Sequence, residues 1–331
     1  MRSIDPPTNH LRRFTTTAVR SLSTAVAVMA TACGGGDEPT PAVTRSRPVV
    51  TVPPPVLSGP VGLTQLSDFP TLGFAYRYTT NADGSQARGP STPDPTEVIS
   101  ISYAAADRSY EINIPGFERG RLTLQHANAY GGWHSLSTSP SPTLGVELYR
   151  PGAANPELQL DYTSFGWWED PIYTPIPAIP RSNNTGYFAY GVPTDVGDVP
   201  VTGSRKYSAV ASGATSASLG VWYVFGTANL TFDFSKGGLA GNLSLGVNPG
   251  GPGHRDYGNF QFAATSYAVG ATRFSGKFSM PGGIEDGFFE GQFTGPQASE
   301  LMVRWLLPQS GPQVGATGSL FGVLVGKRQN D

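Results

Sequence analysis

Apolar and polar positions alternate along much of this chain, and the alternation marks short strands. The clearest pair is Glu97–Tyr103 followed by Arg108–Ile114 and closed by Pro115-Gly116. Ile99, Ile101 and Tyr103 fall on one face, as do Tyr110, Ile112 and Ile114 on the return strand, so the spacing predicts a half-buried antiparallel hairpin. Further strands are expected at 121–126, 143–149 and 158–167. Pro171, Pro175, Pro177 and Pro180 then punctuate 170–184, which reads as a long loop and not as a central strand, because proline donates no ladder hydrogen bond.

From about Gly203 the pattern becomes regular. Strand candidates follow at 204–211, 217–225, 227–234, 239–247, 259–265, 272–280, 287–294, 301–307 and 319–326, eight or nine at hairpin spacing. Such spacing suggests a sandwich or a closed barrel, and a small repeat favours the barrel. It runs apolar-x-Gly-x-apolar, in Leu239-x-Gly241-x-Leu243, Phe274-x-Gly276-x-Phe278 and Phe289-x-Gly291-x-Phe293. Each glycine shares a face with its two apolar neighbours, where it relieves crowding inside a narrow barrel. The opposite faces read Ala240, Asn242, Ser244, then Ser275, Lys277, Ser279, then Phe288, Glu290, Gln292, and are mostly polar. A membrane-spanning barrel would show the reverse. The expected fold is therefore all-β, with an irregular β region followed by an eight-stranded, antiparallel, water-soluble barrel whose apolar interior is filled.

Composition agrees. Of 331 residues 42 are Gly and 30 are Pro, and only 14% are charged, which disfavours a helical protein and suits many short strands joined by turns. With 38% hydrophobic and 11% aromatic residues the chain can build a core, and a net charge of −2 gives no general attraction to nucleic acid.

The N-terminus reads as an address. Arg12 and Arg13 precede an apolar run, Ser21 to Ala32, which is too short to span a bilayer permanently and ends in Ala30-Thr31-Ala32-Cys33-Gly. That ending resembles a bacterial lipobox, in which small residues fit the signal peptidase and the cysteine thiol receives a diacylglycerol. Cys33 is the single cysteine, so lipidation is expected there after loss of residues 1–32, the alternative being ordinary cleavage with a free thiol. Cleavage removes four arginines and one aspartate and leaves a net charge of −5. Two or three acyl chains would anchor such a protein to a membrane. Residues 33–59, rich in Pro and Gly, would form an extended tether.

The segment Gly287-Phe-Phe-Glu-Gly-Gln-Phe-Thr-Gly-Pro-Gln-Ala-Ser-Glu-Leu301 carries the most specific likeness in the chain. With the Gly226–Leu243 stretch, Thr202-Gly203 before Tyr207, and Gly322-Val-Leu-Val-Gly-Lys-Arg328, it resembles the β-barrel domain of transferrin-binding protein B and related bacterial surface lipoproteins. The resemblance covers roughly 185–331. The Ser102–Gly116 hairpin and Tyr162-Thr-Ser-Phe-Gly166 are similar, more weakly, to the handle domain that precedes the barrel in these proteins. The implied organisation is a handle-like domain over 60–195 and a barrel domain over 196–331. That is a single handle–barrel unit, where the transferrin receptor lipoprotein has two. The resemblance implies a protein on the surface of a Gram-negative outer membrane. It would bind a host or environmental iron-carrying protein or a haem-like solute and pass it to an outer-membrane transporter.

Catalytic signatures are sparse. The mature chain has three histidines, His126, His134 and His254, none in a zinc-site pattern, and no nucleophile elbow, P-loop or mature-domain cysteine nucleophile. The reading is a non-enzyme with no cofactor and no metal. Two rivals are a structural or assembly lipoprotein of the envelope and a secreted hydrolase. A lipocalin-like carrier would need an open barrel, which the inward Phe and Leu residues oppose.

Two segments are candidate ligand contacts. The glycine-rich loop 246–257 presents His254, Arg255, Asp256 and Tyr257, and loops on a rigid scaffold often carry binding residues, although it also reads as a plain connection. Trp167 and Trp168 are adjacent on a strand and face opposite ways. One should pack inward while the other could anchor a partner, unless both pack at the junction of handle and barrel. Trp133 with His134 carries the same ambiguity, whereas Trp222 and Trp305 read as barrel packing.

Overall fold

The computed structural model describes residues 67–83, 86–87, 93–95, 99–114, 120–122, 133–137, 145–149, 158–170, 181–216, 222–248, 255–279, 287–309 and 318–330. They belong to one unit, Val56–Asp331. The N-terminal strands are β1 Ser67–Phe69, β2 Thr71–Thr80, β3 Gln86–Ala87, β4 Ser100–Ala104, β5 Ser109–Asn113, β6 Gly120–Leu122, β7 Trp133–Ser137, β8 Gly145–Tyr149, β9 Thr163–Asp170 and β10 Arg181–Gly191. They form a four-stranded sheet in the order β1-β4-β5-β6 and a six-stranded sheet in the order β3-β2-β10-β9-β8-β7.

The predicted hairpin is β4–β5, with Tyr103 opposite Tyr110 and Ile101 opposite Ile112. Arg108, at φ 55°, lies in its turn. Its apolar face, with Ile99 and Ile114, is buried against one side of the six-stranded sheet, on Ala75, Val146, Leu148, Trp168, Phe188 and Tyr190. The other side of that sheet presents Phe74, Tyr76, Tyr78, Tyr149, Phe165 and Tyr187 to the outer wall of the barrel. The six-stranded sheet is thus a middle layer, apolar on both faces.

One expectation fails here. The prolines of 170–184 predict a loop outside any central strand, yet Arg181–Asn184 opens β10, which pairs with both β2 and β9. The prolines stop at Pro180, so nothing in the last four residues blocks a ladder.

The barrel strands are β11 Ser204–Thr215, β12 Tyr223–Asp233, β13 Gly238–Asn248, β14 Arg255–Ser266, β15 Arg273–Ser279, β16 Gly287–Thr294, β17 Glu300–Gln309 and β18 Gly318–Arg328. Each pairs antiparallel with the next, and β18 closes on β11, making an eight-stranded barrel. Of the nine candidates, 217–225 and 227–234 share one strand: Tyr223–Phe225 and Thr227–Asp233 both belong to β12.

Aromatic rings fill the interior. Phe232, Phe234, Phe262, Phe274, Phe278, Phe289, Phe293 and Trp305 are buried together. Ring centroids lie 4.9 Å apart for Phe232 and Phe293 and 5.0 Å for Phe262 and Phe289. Each fully buried ring is worth about 2 kcal/mol of transfer energy. Two of the repeat glycines lie beneath this stack: Gly276 faces Phe289 across the ladder and Gly291 faces Phe274, and each ring occupies the space a side chain would take.

The barrel exterior is polar on β13, where Ala240, Asn242 and Ser244 are exposed, and on β15 at Lys277. It is not so on β16. Phe288 packs toward the six-stranded sheet and Gln292 is buried, because that sheet covers β16–β18 and their neighbour β11 with Met302, Phe321, Val323, Val325 and Ala214. Arg304 ties the layers further, bonding Glu290 and the Pro95 carbonyl and lying 5.5 Å from the Phe74 ring centroid.

A polar clasp completes the junction. The Glu300 carboxylate accepts the backbone N–H groups of Asp161 at 2.7 Å and Tyr162 at 2.9 Å. Lys327 reaches the Asp161 carboxylate at 2.6 Å and also donates to the Gln159 carbonyl. Thr163 and Thr294 share a hydrogen bond between their hydroxyls.

Candidate ligand-binding end of the barrel

An up-and-down barrel places alternate connections at opposite ends. At one end lie short turns, such as 234–237 between β12 and β13 and the 3-10 turn Pro296–Ala298 between β16 and β17. At the other end lie Thr215, Tyr223, Asn248, Arg255, Ser279, Gly287, Gln309 and Gly318, the strand ends that border the longer stretches between strands. Strand ladders fix the positions of the residues at this second end, and a rigid scaffold of this kind can display recognition residues.

The loop expected at 246–257 is shorter than its sequence suggests. β13 runs to Asn248 and β14 begins at Arg255, with Val247 opposite Arg255 and Gly246 opposite Asp256. Arg255, Asp256 and Tyr257 are therefore strand residues, and His254 lies outside the described residues. A register shift leaves Tyr257 as an extra residue between Asp256 and Gly258, where Gly258 adopts φ 112°. Tyr257 packs partly buried on the barrel core, while Asp256 is exposed and accepts the Gly258 N–H at 2.8 Å. Cys33 and His126 also lie outside the described residues. Trp133 and His134 begin the edge strand β7. Trp305 is in the barrel core and Trp222 is half-buried against it.

Trp167 and Trp168 sit in the two faces of the middle layer. Trp168 is buried between the two N-terminal sheets, with its indole over Gly186 directly across the ladder. Its ring belongs to the core. Trp167 points the other way, toward the barrel, and is half-buried.

Around Trp167 the sheet register assembles a cluster that sequence reading did not single out. Trp167 lies opposite Tyr187 on one side and Glu147 on the other, and its Nε1 donates to Glu147 Oε2 at 3.1 Å. Glu169, two residues on, accepts from the Tyr78 hydroxyl at 3.3 Å. From the barrel, Tyr223 at the start of β12 approaches the same place. It is 40% exposed, stacks on Phe225 at 6.0 Å and shares a 3.5 Å contact with the Ser212 hydroxyl. Tyr223 is paired with Asn248 on β13 and Asp256 with Gly246, so the cluster and Asp256 lie on the same rim, on strands two apart.

The electrostatics follow from burial. Burial raises the Glu147 carboxyl above its usual range, against the lowering effect of the Trp167 hydrogen bond. Burial likewise raises Glu169, with Tyr78 lowering and Asp170 raising it. The Tyr187 hydroxyl is pushed well up, first by burial and then by Tyr223, Glu169, Tyr78 and Glu147. Among the described residues neither glutamate has a cationic partner. No group of three or more His, Cys, Asp or Glu side chains is placed to hold a metal ion among those residues. Alternating Tyr76 and Tyr78, and Glu147 between Val146 and Leu148, were the available signals for the cluster.

No family model and no curated protein matches the chain. Solved structures that resemble it include a Trp-to-Ala mutant of transferrin-binding protein B from Haemophilus parasuis. The TM-score is 0.45 and the identity 14%, with 78% of this chain and 46% of that one covered. Transferrin-binding protein B from serogroup B Neisseria meningitidis gives 0.41 and 16%, over 78% and 44%. HpuA from Kingella denitrificans, solved with human haemoglobin, gives 0.40 and 15%, over 84% and 95%. The chain spans a little under half the length of these two transferrin-binding protein B structures. These neighbours include the protein group that the barrel motifs resemble.

Proposed function

We propose that this chain is a non-catalytic lipoprotein, anchored through Cys33 to a Gram-negative outer membrane, which binds its ligand at the long-link end of the barrel. The observation that carries the reading is a contrast within the barrel. Its interior is filled by Phe232, Phe262, Phe274, Phe289 and Phe293, while partly exposed aromatics and carboxylates gather at the rim where barrel meets handle. A lipocalin-like carrier would hold a solute inside, and this interior is occupied by side chains. The ligand class is an iron-carrying protein or a haem-like solute, handed on to an outer-membrane transporter, in keeping with the barrel motifs.

The test has two arms. Protease shaving of intact cells should remove the protein, and Cys33→Ser should release it from the membrane fraction. The soluble segment from Gly34 onward should capture an iron-carrying protein or haem from iron-limited medium. Protection from protease together with no captured ligand would replace this reading with that of a structural or assembly lipoprotein of the envelope.

A further inference from the structure

We infer that the junction between the six-stranded sheet and the barrel is a receptor site for a basic side chain, of the arginine type, presented by a protein partner. The inference rests on the reading that this end of the barrel binds a ligand, and it names the chemistry of what is bound.

Two carboxylates, each with one oxygen unused, converge there with the Tyr187 hydroxyl. Glu147 uses Oε2 for Trp167, and Glu169 uses Oε1 for Tyr78; among the described residues the second oxygen of each makes no hydrogen bond. Tyr187 is only 6% exposed, and its hydroxyl likewise makes no hydrogen bond among the described residues. That hydroxyl lies within electrostatic reach of Glu147, Glu169, Tyr78 and Tyr223, which places it in the cluster. Two half-buried carboxylates without a counter-charge are costly to fold around.

The geometry selects the ligand. Glu147 and Glu169 are diagonal neighbours on adjacent strands, a relationship that sets residues about 7–8 Å apart, and one planar cation can bridge it. The half-buried Trp167 indole lies on the handle side and the exposed Tyr223 ring on the barrel side. A guanidinium brings five N–H donors in a plane, stacks on aromatic faces and carries the charge the carboxylates lack. Handle and barrel each supply part of the site, so it exists only while the two are docked.

The experiment titrates the soluble segment from Gly34 onward with a Gly-Arg-Gly amide peptide, followed by NMR. The matching citrulline peptide has the same shape without the charge. The arginine peptide should bind and the citrulline peptide should not. The Glu147→Gln/Glu169→Gln double variant should lose at least tenfold in affinity, and Tyr187→Phe several-fold, with thermal unfolding showing both still folded. An Asp68→Asn/Asp195→Asn control, which removes two exposed carboxylates elsewhere, should bind as the parent does. Equal binding of citrulline, unchanged binding by the double variant, or an equal loss in the control would overturn the assignment. If the peptide fails while an iron carrier is still captured, the junction site falls alone. If peptide binding stands while no carrier is captured, the ligand class proposed above falls and the site remains.

Discussion

Phe289 covers Gly276 from directly across the ladder, its ring filling the volume where a side chain would sit. Phe274 does the same for Gly291 one step along the strands, so rings and glycines alternate and neither strand is overfilled. Gly276→Ala would normally favour a strand. Here the added methyl meets the Phe289 ring, and the change should cost about 1–3 kcal/mol. Phe289→Ala should cost about 3–5 kcal/mol. Denaturant unfolding of both variants checks the pairing, and an unaltered midpoint for Gly276→Ala would refute it.

The Glu300 clasp depends on both carboxylate oxygens, because each receives a backbone N–H from the handle. In Glu300→Gln one oxygen becomes an NH2 group that faces a donor. The variant should lose about 1–3 kcal/mol and loosen the 159–163 segment. Hydrogen exchange at the Asp161 and Tyr162 amides reads this directly. Exchange as slow as in the parent would show that the clasp holds without the charge.

Burial raises Glu147, Glu169 and Glu300, so the folded chain keeps protons that the unfolded chain releases. The stability these groups contribute is fully present below the ordinary value of 4.5 and declines as pH rises through their raised values. Asp233 works the other way, lowered chiefly by its Ser235 hydrogen bond, with its contribution lost as pH falls. Glu169→Gln should accordingly raise the melting temperature at pH 8 and leave it nearly unchanged at pH 4. Melting curves across that range decide it, and a loss at pH 8 would mean that the charged form is stabilising.

The two adjacent tryptophans should behave differently. Trp168 is buried over Gly186, and Trp168→Ala should cost about 3–5 kcal/mol. Trp167 is half-buried, and its alanine variant should cost less stability while changing binding. Unfolding midpoints for the two variants separate core from rim, and equal losses would place both rings in the core.

Much of the fold was legible because its strands have one wet and one dry face. Ile99, Ile101 and Tyr103 alternate cleanly, and so do the barrel strands facing solvent. β2 and β10 hid for the opposite reason. Gly73-Phe74-Ala75-Tyr76 and Tyr187-Phe188-Ala189-Tyr190 are continuous runs without alternation, because the sheet is covered on both faces. That sandwiching also answers the Trp167–Trp168 ambiguity, since each ring meets a different neighbouring layer. The glycine-rich link was legible as a connection, but its strand ends were not, because Arg255, Asp256 and Tyr257 carry little strand signal. The rim cluster was illegible in principle. Glu147, Trp167 and Tyr187 come from three strands and meet only through ladder register, which no local pattern encodes.

The ring-filled barrel has a consequence for how such a protein can change. Its interior rings answer to one another, while exposed rim residues such as Tyr223 and Asp256 are not part of that packing. New partners can be acquired by changing such rim residues, and the scaffold that holds them need not be rebuilt each time.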